Sequence, residues 1–121
     1  MSRRVLEPGP DHPISIDEMP VDVILSVADE AVGHGSAVIL TEANYPPVLY
    51  IDCKTIDAAR LTQSDKTTWC PYKGEATHYH LMLDDGSILE NTIWSYEAPL
   101  PAVAAIKDRL AFYPAVCVKL A

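Results

Sequence analysis

Short apolar segments separated by turn residues constrain this chain most, because they favour β-strands over long helices. The clearest pair of segments runs from Thr77 to Leu83 and from Ser87 to Trp94, joined by Asp84-Asp85-Gly86. An Asp-Gly pair readily supplies the positive φ that a tight hairpin loop needs. We therefore predict an antiparallel hairpin across this turn. The alternation of side chains places Tyr79, Leu81 and Leu83 towards the core and His78 and His80 towards solvent.

Further strands are expected on both sides of this hairpin. The alternation of Val21, Val23, Leu25 and Val27 with Asp22, Ile24, Ser26 and Ala28 predicts a half-buried strand with one face inward. A second strand is expected over residues 31 to 40, interrupted at Gly33-His34-Gly35, because glycines inside strands often mark a bulge. Two short β-rich runs complete the pattern, Val48 to Ile51 and Ala115 to Leu120.

Two segments carry helical signals. Thr55 stands in the position of an N-cap, which predicts one or two helical turns over Thr55 to Leu61. From Pro101 to Leu110, proline occupies the first turn, and three apolar side chains spaced at three and four residues share one face. This second segment predicts a short amphipathic helix near the C-terminus. The fold class is therefore mainly β, a compact antiparallel two-sheet domain with a short C-terminal helix.

The domain organisation follows from length and from the prolines. A chain of 121 residues, about half of them apolar, has the size of one domain with its own core. Four of the ten prolines lie in residues 7 to 20 and favour extended geometry there. We predict a proline-rich N-terminal arm over residues 1–20 and a single domain over residues 21–121.

The charge and the cysteines limit the partners and the compartment. A formal net charge of −8 disfavours binding to nucleic acid or to an anionic membrane surface. The N-terminus lacks the apolar stretch of a signal peptide, so a cytoplasmic location is expected. Cys53, Cys70 and Cys117 are odd in number and widely spaced, which favours free thiols. Because no Cys-x-x-Cys pair is present, we expect neither a zinc knuckle nor another metal or cofactor site.

The run from Thr68 to Gly74 carries the strongest candidate for chemistry. It places Cys70 three residues before Lys73, with Pro71 and Tyr72 between them. The thiolate is the reactive form of cysteine, and a nearby ammonium favours it in general. Cys70 and Lys73 are therefore catalytic candidates, and Lys73 can also bind an anion. The alternative is a purely structural turn between two strands, since free cysteine is often buried.

Aromatic residues provide a second candidate feature. Rings that line a concave sheet form a pocket for a planar or apolar ligand, although most aromatics in a β domain pack in the core. The predicted ligand-binding residues are Tyr45, Tyr72, Lys73, Trp94 and Tyr96. The pair His78 and His80 offers only two metal ligands, and the sequence pairs none of the carboxylates Glu42, Asp52 and Glu90 with another catalytic group.

Several motifs together resemble a family of small bacterial proteins, domain of unknown function 427. They are residues 8–14, Tyr45-Pro46-Pro47, Cys70-Pro71-Tyr72-Lys73-Gly74, Trp94-Ser95-Tyr96 and Ala111-Phe112-Tyr113-Pro114. The resemblance implies a fold similar to the β-tent, in which two antiparallel sheets meet. The family also carries a nucleotidyltransferase label. This chain lacks the paired Cys-x-x-Cys knuckles that hold zinc in many β-tent domains.

Three functions remain open at this point. The first is a module that binds a small molecule or an anion in an aromatic-lined cleft. The second is an enzyme that uses Cys70 or Lys73, on a nucleotide if the family label applies, although no Asp-x-Asp motif is present to hold metal ions. The third is an interaction domain that forms a homo-oligomer or binds a partner protein along an exposed sheet edge.

Overall fold

The protein folds into two antiparallel β-sheets, as the sequence predicts. A computed structural model describes residues 3–52 and 56–121. Within these residues the strands are β1 (Ile14–Glu18), β2 (Val23–Val27), β3 (Glu30–Gly35), β4 (Ala37–Glu42), β5 (Val48–Asp52), β6 (Leu61–Cys70), β7 (Gly74–Met82), β8 (Ile88–Ser95), β9 (Arg109–Phe112) and β10 (Cys117–Leu120). Two short 3-10 segments, Ala58–Arg60 and Pro101–Ile106, lie between strands.

The larger sheet has seven strands in the order β1-β4-β5-β9-β8-β7-β6, and the smaller has three in the order β10-β2-β3. Every pair of neighbouring strands in the two sheets is antiparallel. Strand β1, which belongs to the proline-rich arm, pairs with β4 at one edge of the larger sheet. This pairing joins the arm to the sheet.

Both faces of the larger sheet bury apolar side chains. One cluster joins the inward face of β2, including Leu25, to Ile51, Leu81 and Ile93 of the larger sheet. A second cluster contains Leu40, Tyr50, Tyr96, Val103 and Ile106 and is covered by the second 3-10 segment. The centre of the larger sheet therefore lies between the smaller sheet on one face and the second 3-10 segment on the other.

The hairpin at Asp84-Asp85-Gly86 forms as predicted. Strands β7 and β8 pair from Thr77 with Ser95 to Met82 with Ile88, and Gly86 has a φ of +85°. The prediction is wrong for His78, however, because this side chain is only 2% exposed, whereas His80 is half-buried. On the same face of β7, Ala76 packs in the second cluster. This face of β7 therefore packs against the second apolar cluster. The alternation of side chains in the hairpin alone does not reveal that packing.

The predicted C-terminal helix does not form. Residues Pro101–Ile106 adopt 3-10 turns that meet at a kink at Val103, and Asp108 then has a φ of +60°. Leu110 lies instead in β9, between β5 and β8. Val103 and Ile106 are fully buried, so the apolar face of the segment is used as expected. Sheet pairing on both sides of β9 overrides the local helical pattern.

Two other sequence predictions hold only in part. The segment expected as one strand over residues 31 to 40 forms β3 and β4, which lie in different sheets and are separated at Ser36. The register of β2 against β3 shifts between Leu25 and Ser26, beside Gly33, in agreement with a bulge there. The helical turn expected from Thr55 begins outside the described residues, and the 3-10 turn at 58–60 has Asp57 as its N-cap. Cys53 also lies outside the described residues.

Among the described residues, no helix has the length and apolar character needed to cross a membrane.

Candidate functional site

The candidate site begins with the turn that joins β6 to β7. Cys70 pairs with Gly74 across the hairpin, and the backbone N–H of Lys73 donates to the carbonyl of Cys70 over 3.2 Å. Gly74 has a φ of +108°, which L residues rarely adopt. The Lys73 carbonyl accepts from the backbone N–H of Leu100 over 2.9 Å. The turn is thereby fixed against the segment before the second 3-10 element.

Glu42 at the end of β4 links two basic side chains. Its Oε1 atom accepts from Lys73 Nζ over 2.5 Å, and its Oε2 atom lies 2.7 Å from His12 Nε2. The side chains of Lys73, Glu42 and His12 are 11%, 13% and 24% exposed. Pairing of Ile14 with Glu42 in the β1–β4 ladder brings the arm, and with it His12, to this position. The result is a largely enclosed ionic cluster at the mouth of the β6–β7 turn.

The pKa of the Glu42 carboxyl reflects two opposed effects. Burial alone raises it, because desolvation penalises the charged form. The hydrogen bonds from Lys73 and His12, with the charges of both partners, lower it, and together they outweigh burial. The pKa of Glu42 therefore lies below its ordinary value. The cluster holds Glu42 as a carboxylate at neutral pH.

Aromatic rings flank this ionic cluster. The rings of His12 and Tyr72 stack with centroids 3.9 Å apart and an interplanar angle of 4°. Tyr45 lies at 6.4 Å from the His12 ring and is 65% exposed. The stacking fixes the plane of the imidazole and directs one of its nitrogen atoms at Glu42.

Cys70 lies between the ionic cluster and the second apolar cluster. Its Sγ atom is 3.7 Å from Lys73 Nζ, and its side chain is partly buried against the second apolar cluster. Burial raises the pKa of Tyr50 to about 12 and raises that of Tyr96 as well. The charges of Glu42 and Cys70 add to both increases. These two phenols are therefore neutral groups close to the thiol.

Trp94 belongs to the same aromatic group. Its indole N–H donates to the Tyr50 hydroxyl over 3.3 Å, and its ring lies 4.6 Å from that of Tyr113. Trp94 and Tyr96, predicted to contact a ligand, thus pack with Tyr50 in the second apolar cluster. Their contact with a ligand stays a prediction.

A cavity of about 510 Å³ lies beside the cluster. Its walls are residues 5–8 of the arm, Ile14, Tyr72 and residues 100–102. Tyr72 is the member of the predicted ligand-binding set that lines this cavity, and its ring also stacks on His12. One aromatic side chain therefore connects the cavity to the ionic cluster.

The arm is fastened over this cavity by several contacts. The backbone N–H of Leu6 donates to the carbonyl of Pro71 over 2.9 Å, and Trp69 Nε1 donates to the carbonyl of Arg4 over 2.7 Å. Arg3 lies over the Trp69 ring and pairs with Glu75. Trp69 and Pro71 of the motif thus hold the arm in place.

A second cavity of about 370 Å³ lies on the smaller sheet, at Asp22, Ile24, Ala31, Gly33, His34 and Ala121. It contains none of the predicted site residues. Within residues 3–52 and 56–121, the His, Cys, Asp and Glu side chains form no group of three or more that could hold a metal ion.

The sequence motif indicates Cys70 and Lys73 but does not pair them with Glu42 and His12. The sequence offers Glu42 as a carboxylate without a partner, and it gives no indication that His12 lies beside it. The pairing of β1 with β4 brings His12 and Glu42 together. This pairing can be predicted only if the N-terminal arm is first predicted to contain a strand.

The chain belongs to the family described as Domain of unknown function (DUF427), whose model matches residues 15–120. This membership confirms the resemblance that the motifs indicate. A comparison with curated proteins gives no match.

Proposed function

We propose that this protein is a small-molecule-binding module whose ligand occupies the cavity between the N-terminal arm and Tyr72. The observation that carries the proposal is the cavity itself, because its volume of about 510 Å³ falls within the size range of ligand pockets. One aromatic wall and a nearby polar cluster are also typical of such pockets. The exposed thiol of Cys117 fits a reducing compartment, and we therefore include a cytoplasmic location in the proposal.

The walls of the cavity combine apolar and polar surface, which favours a planar ligand that carries some polar groups. Val5, Leu6, Pro8, Ile14 and Leu100 offer aliphatic surface, Tyr72 offers a flat ring, and Glu7 adds an acidic side chain. The ammonium of Lys73 is already paired with the Glu42 carboxylate. An anion would have to compete with that carboxylate, so we favour a neutral ligand over an anionic one.

Filling the cavity with a large side chain is expected to abolish binding. Ala102 lines the cavity and is exposed, so Ala102→Trp places an indole where the ligand would lie. Ala104→Trp is the matched control, because Ala104 is exposed in the same 3-10 segment but does not line the cavity. Ligand-detected NMR with a library of neutral, planar fragments measures the effect.

The expected result is a set of fragments that bind the unmodified protein and the Ala104→Trp variant but not the Ala102→Trp variant. If no fragment binds, or if Ala102→Trp retains every fragment, the cavity is not a ligand site and the proposal is wrong.

A second candidate function is an enzyme that uses Cys70 or Lys73. The observation that favours it is the 3.7 Å contact between Cys70 Sγ and Lys73 Nζ, beside the Glu42 carboxylate. A nucleophile, an ammonium and a carboxylate in contact are the parts from which covalent catalysis is built. The family's nucleotidyltransferase label is compatible with this candidate but does not identify a substrate.

The enzyme candidate predicts covalent labelling of Cys70 by electrophiles. In a screen of chloroacetamide fragments, an enzyme site should select particular fragments at Cys70, whereas the exposed Cys117 serves as the internal control for unselective alkylation. Mass spectrometry of digested protein locates each adduct. Labelling of Cys117 alone, with Cys70 unmodified by every fragment, would contradict the enzyme candidate without affecting the binding proposal.

A further inference from the structure

The thiol of Cys70 and the amine of Lys73 are held together by backbone and by side-chain contacts. The β6–β7 turn fixes the two backbones through the hydrogen bond from Lys73 N–H to the Cys70 carbonyl. The Glu42 carboxylate holds the ammonium end of Lys73, whose side chain is 11% exposed. The two reactive atoms, Sγ and Nζ, are 3.7 Å apart. This is an arrangement of two nucleophilic groups that an oxidant can join.

We propose that Cys70 and Lys73 form a peroxide-induced covalent link, a sulfenamide between Sγ and Nζ. The proposal does not depend on the ligand cavity. Cys70 is partly exposed, which gives a molecule as small as hydrogen peroxide a route to the sulfur. A sulfenic acid is known to condense with a backbone nitrogen to a sulfenamide in proteins. The structure places a side-chain nitrogen in contact with this sulfur.

The first step oxidises the sulfur. The Cys70 thiolate attacks one oxygen of hydrogen peroxide, the O–O bond breaks, and hydroxide leaves and takes a proton to become water. The product is a sulfenic acid at Cys70, which is a reversible state of cysteine oxidation. The sulfur is oxidised and the peroxide is reduced.

The second step joins the two side chains. The Lys73 ammonium loses a proton to solvent, and the Nζ lone pair attacks Sγ. The S–N bond forms as the S–O bond breaks, and the leaving hydroxide takes a second proton from nitrogen to become water. The linked protein is lighter than the reduced protein by two hydrogen atoms. Glu42 loses its ammonium partner and retains His12.

Tryptic mapping after peroxide treatment tests the proposal. Trypsin cleaves the reduced protein after Lys66 and Lys73, which releases residues 67–73 with Cys70 free for alkylation. A Cys70–Lys73 link blocks cleavage after Lys73 and protects the sulfur from alkylation. The expected result is loss of peptide 67–73 and appearance of an unalkylated peptide 67–107, lighter by two hydrogen atoms. Treatment with dithiothreitol should restore the original peptides.

Two substitutions control the experiment. Lys73→Arg keeps a cation beside Glu42 but removes the amine, and should yield sulfinic or sulfonic acid at Cys70 with no linked peptide. Lys66→Arg changes an exposed lysine nearby and should leave the link intact. Cys53 and Cys117 lie on other tryptic peptides and do not interfere with the assignment. The unmodified protein therefore tests for the Cys70–Lys73 link by itself, even where a variant folds poorly. If Cys70 reaches sulfinic acid while cleavage after Lys73 remains complete, the proposal is wrong.

Discussion

Replacing Glu42 with glutamine is expected to lower the free energy of unfolding at neutral pH by about 2–3 kcal/mol. The carboxylate accepts from Lys73 and contacts His12, and both the Glu42 and the Lys73 side chains are largely enclosed. Glutamine keeps the shape of the side chain but removes the charge. The Lys73 ammonium then remains desolvated without a counter-charge, and that is costly.

The effect of this substitution should depend on pH. The pKa of Glu42 is lower in the folded protein than in the unfolded chain, so folding is favoured by the ionised carboxylate. This contribution is fully present above the ordinary carboxylate range and is lost as the pH falls through the lowered pKa of the folded state. Consequently, the stability difference between the two proteins should shrink in acid.

Urea unfolding of both proteins at several pH values measures the difference. The control is Glu97→Gln, which removes an exposed carboxylate and should change stability by less than about 0.5 kcal/mol. Equal effects of the two substitutions, or a Glu42→Gln effect that stays constant down to acid pH, would contradict the assigned role of the cluster.

The parts of the fold that sequence predicted correctly depend on local signals. The alternation that predicts β2 corresponds to buried Val23, Leu25 and Val27. The Asp-Gly turn forms because Gly86 adopts the positive φ that the turn needs. Such signals act between neighbours in sequence, so they can be read without knowledge of the rest of the chain.

The errors arise where a distant segment decides the outcome. His78 is buried because a second layer covers its face of β7, and Leu110 is in a strand because β5 and β8 lie on both sides of it. The elements that decide these two outcomes are not close in sequence to His78 or to Leu110. Periodicity within a single segment therefore could not distinguish a strand with one buried face from a strand with two.

In the candidate site, too, one part depends on local signals and the other on distant segments of the chain. Cys70 and Lys73 belong to one turn, and their proximity follows from three-residue spacing within it. Glu42 and His12 reach the turn only through the pairing of β1 with β4 and the packing of the arm. The sequence consequently indicates the nucleophile and the amine but not the carboxylate that holds the amine in place.

The two buried phenols below the site should make the protein sensitive to alkali. Burial raises the pKa of Tyr50 to about 12 against the opposing effect of the hydrogen bond from Trp94. A group with a raised pKa stabilises the fold fully below its unfolded-state pKa, and the contribution is lost as the pH rises towards the folded value. For Tyr50 this window runs from about 10 to about 12, and the shift corresponds to about 3 kcal/mol.

Substitution of both tyrosines tests this expectation. Tyr96 is 6% exposed and its pKa is raised in the same direction, so it adds to the loss in alkali. At pH 8, Tyr50→Phe should cost about 1 kcal/mol because the Trp94 indole loses its acceptor. Above pH 10, the Tyr50→Phe/Tyr96→Phe variant should lose stability less steeply than the unmodified protein.

Urea unfolding followed by circular dichroism between pH 8 and about pH 11 gives the two stability curves, over a range that spans the ordinary tyrosine pKa. Tyr45→Phe is the matched control, because Tyr45 is 65% exposed and its hydroxyl need not leave water on folding. The control should retain the full alkaline loss of the unmodified protein. Parallel curves for all three proteins would show that burial does not hold Tyr50 and Tyr96 neutral, and the assigned cause of their raised pKa values would then be wrong.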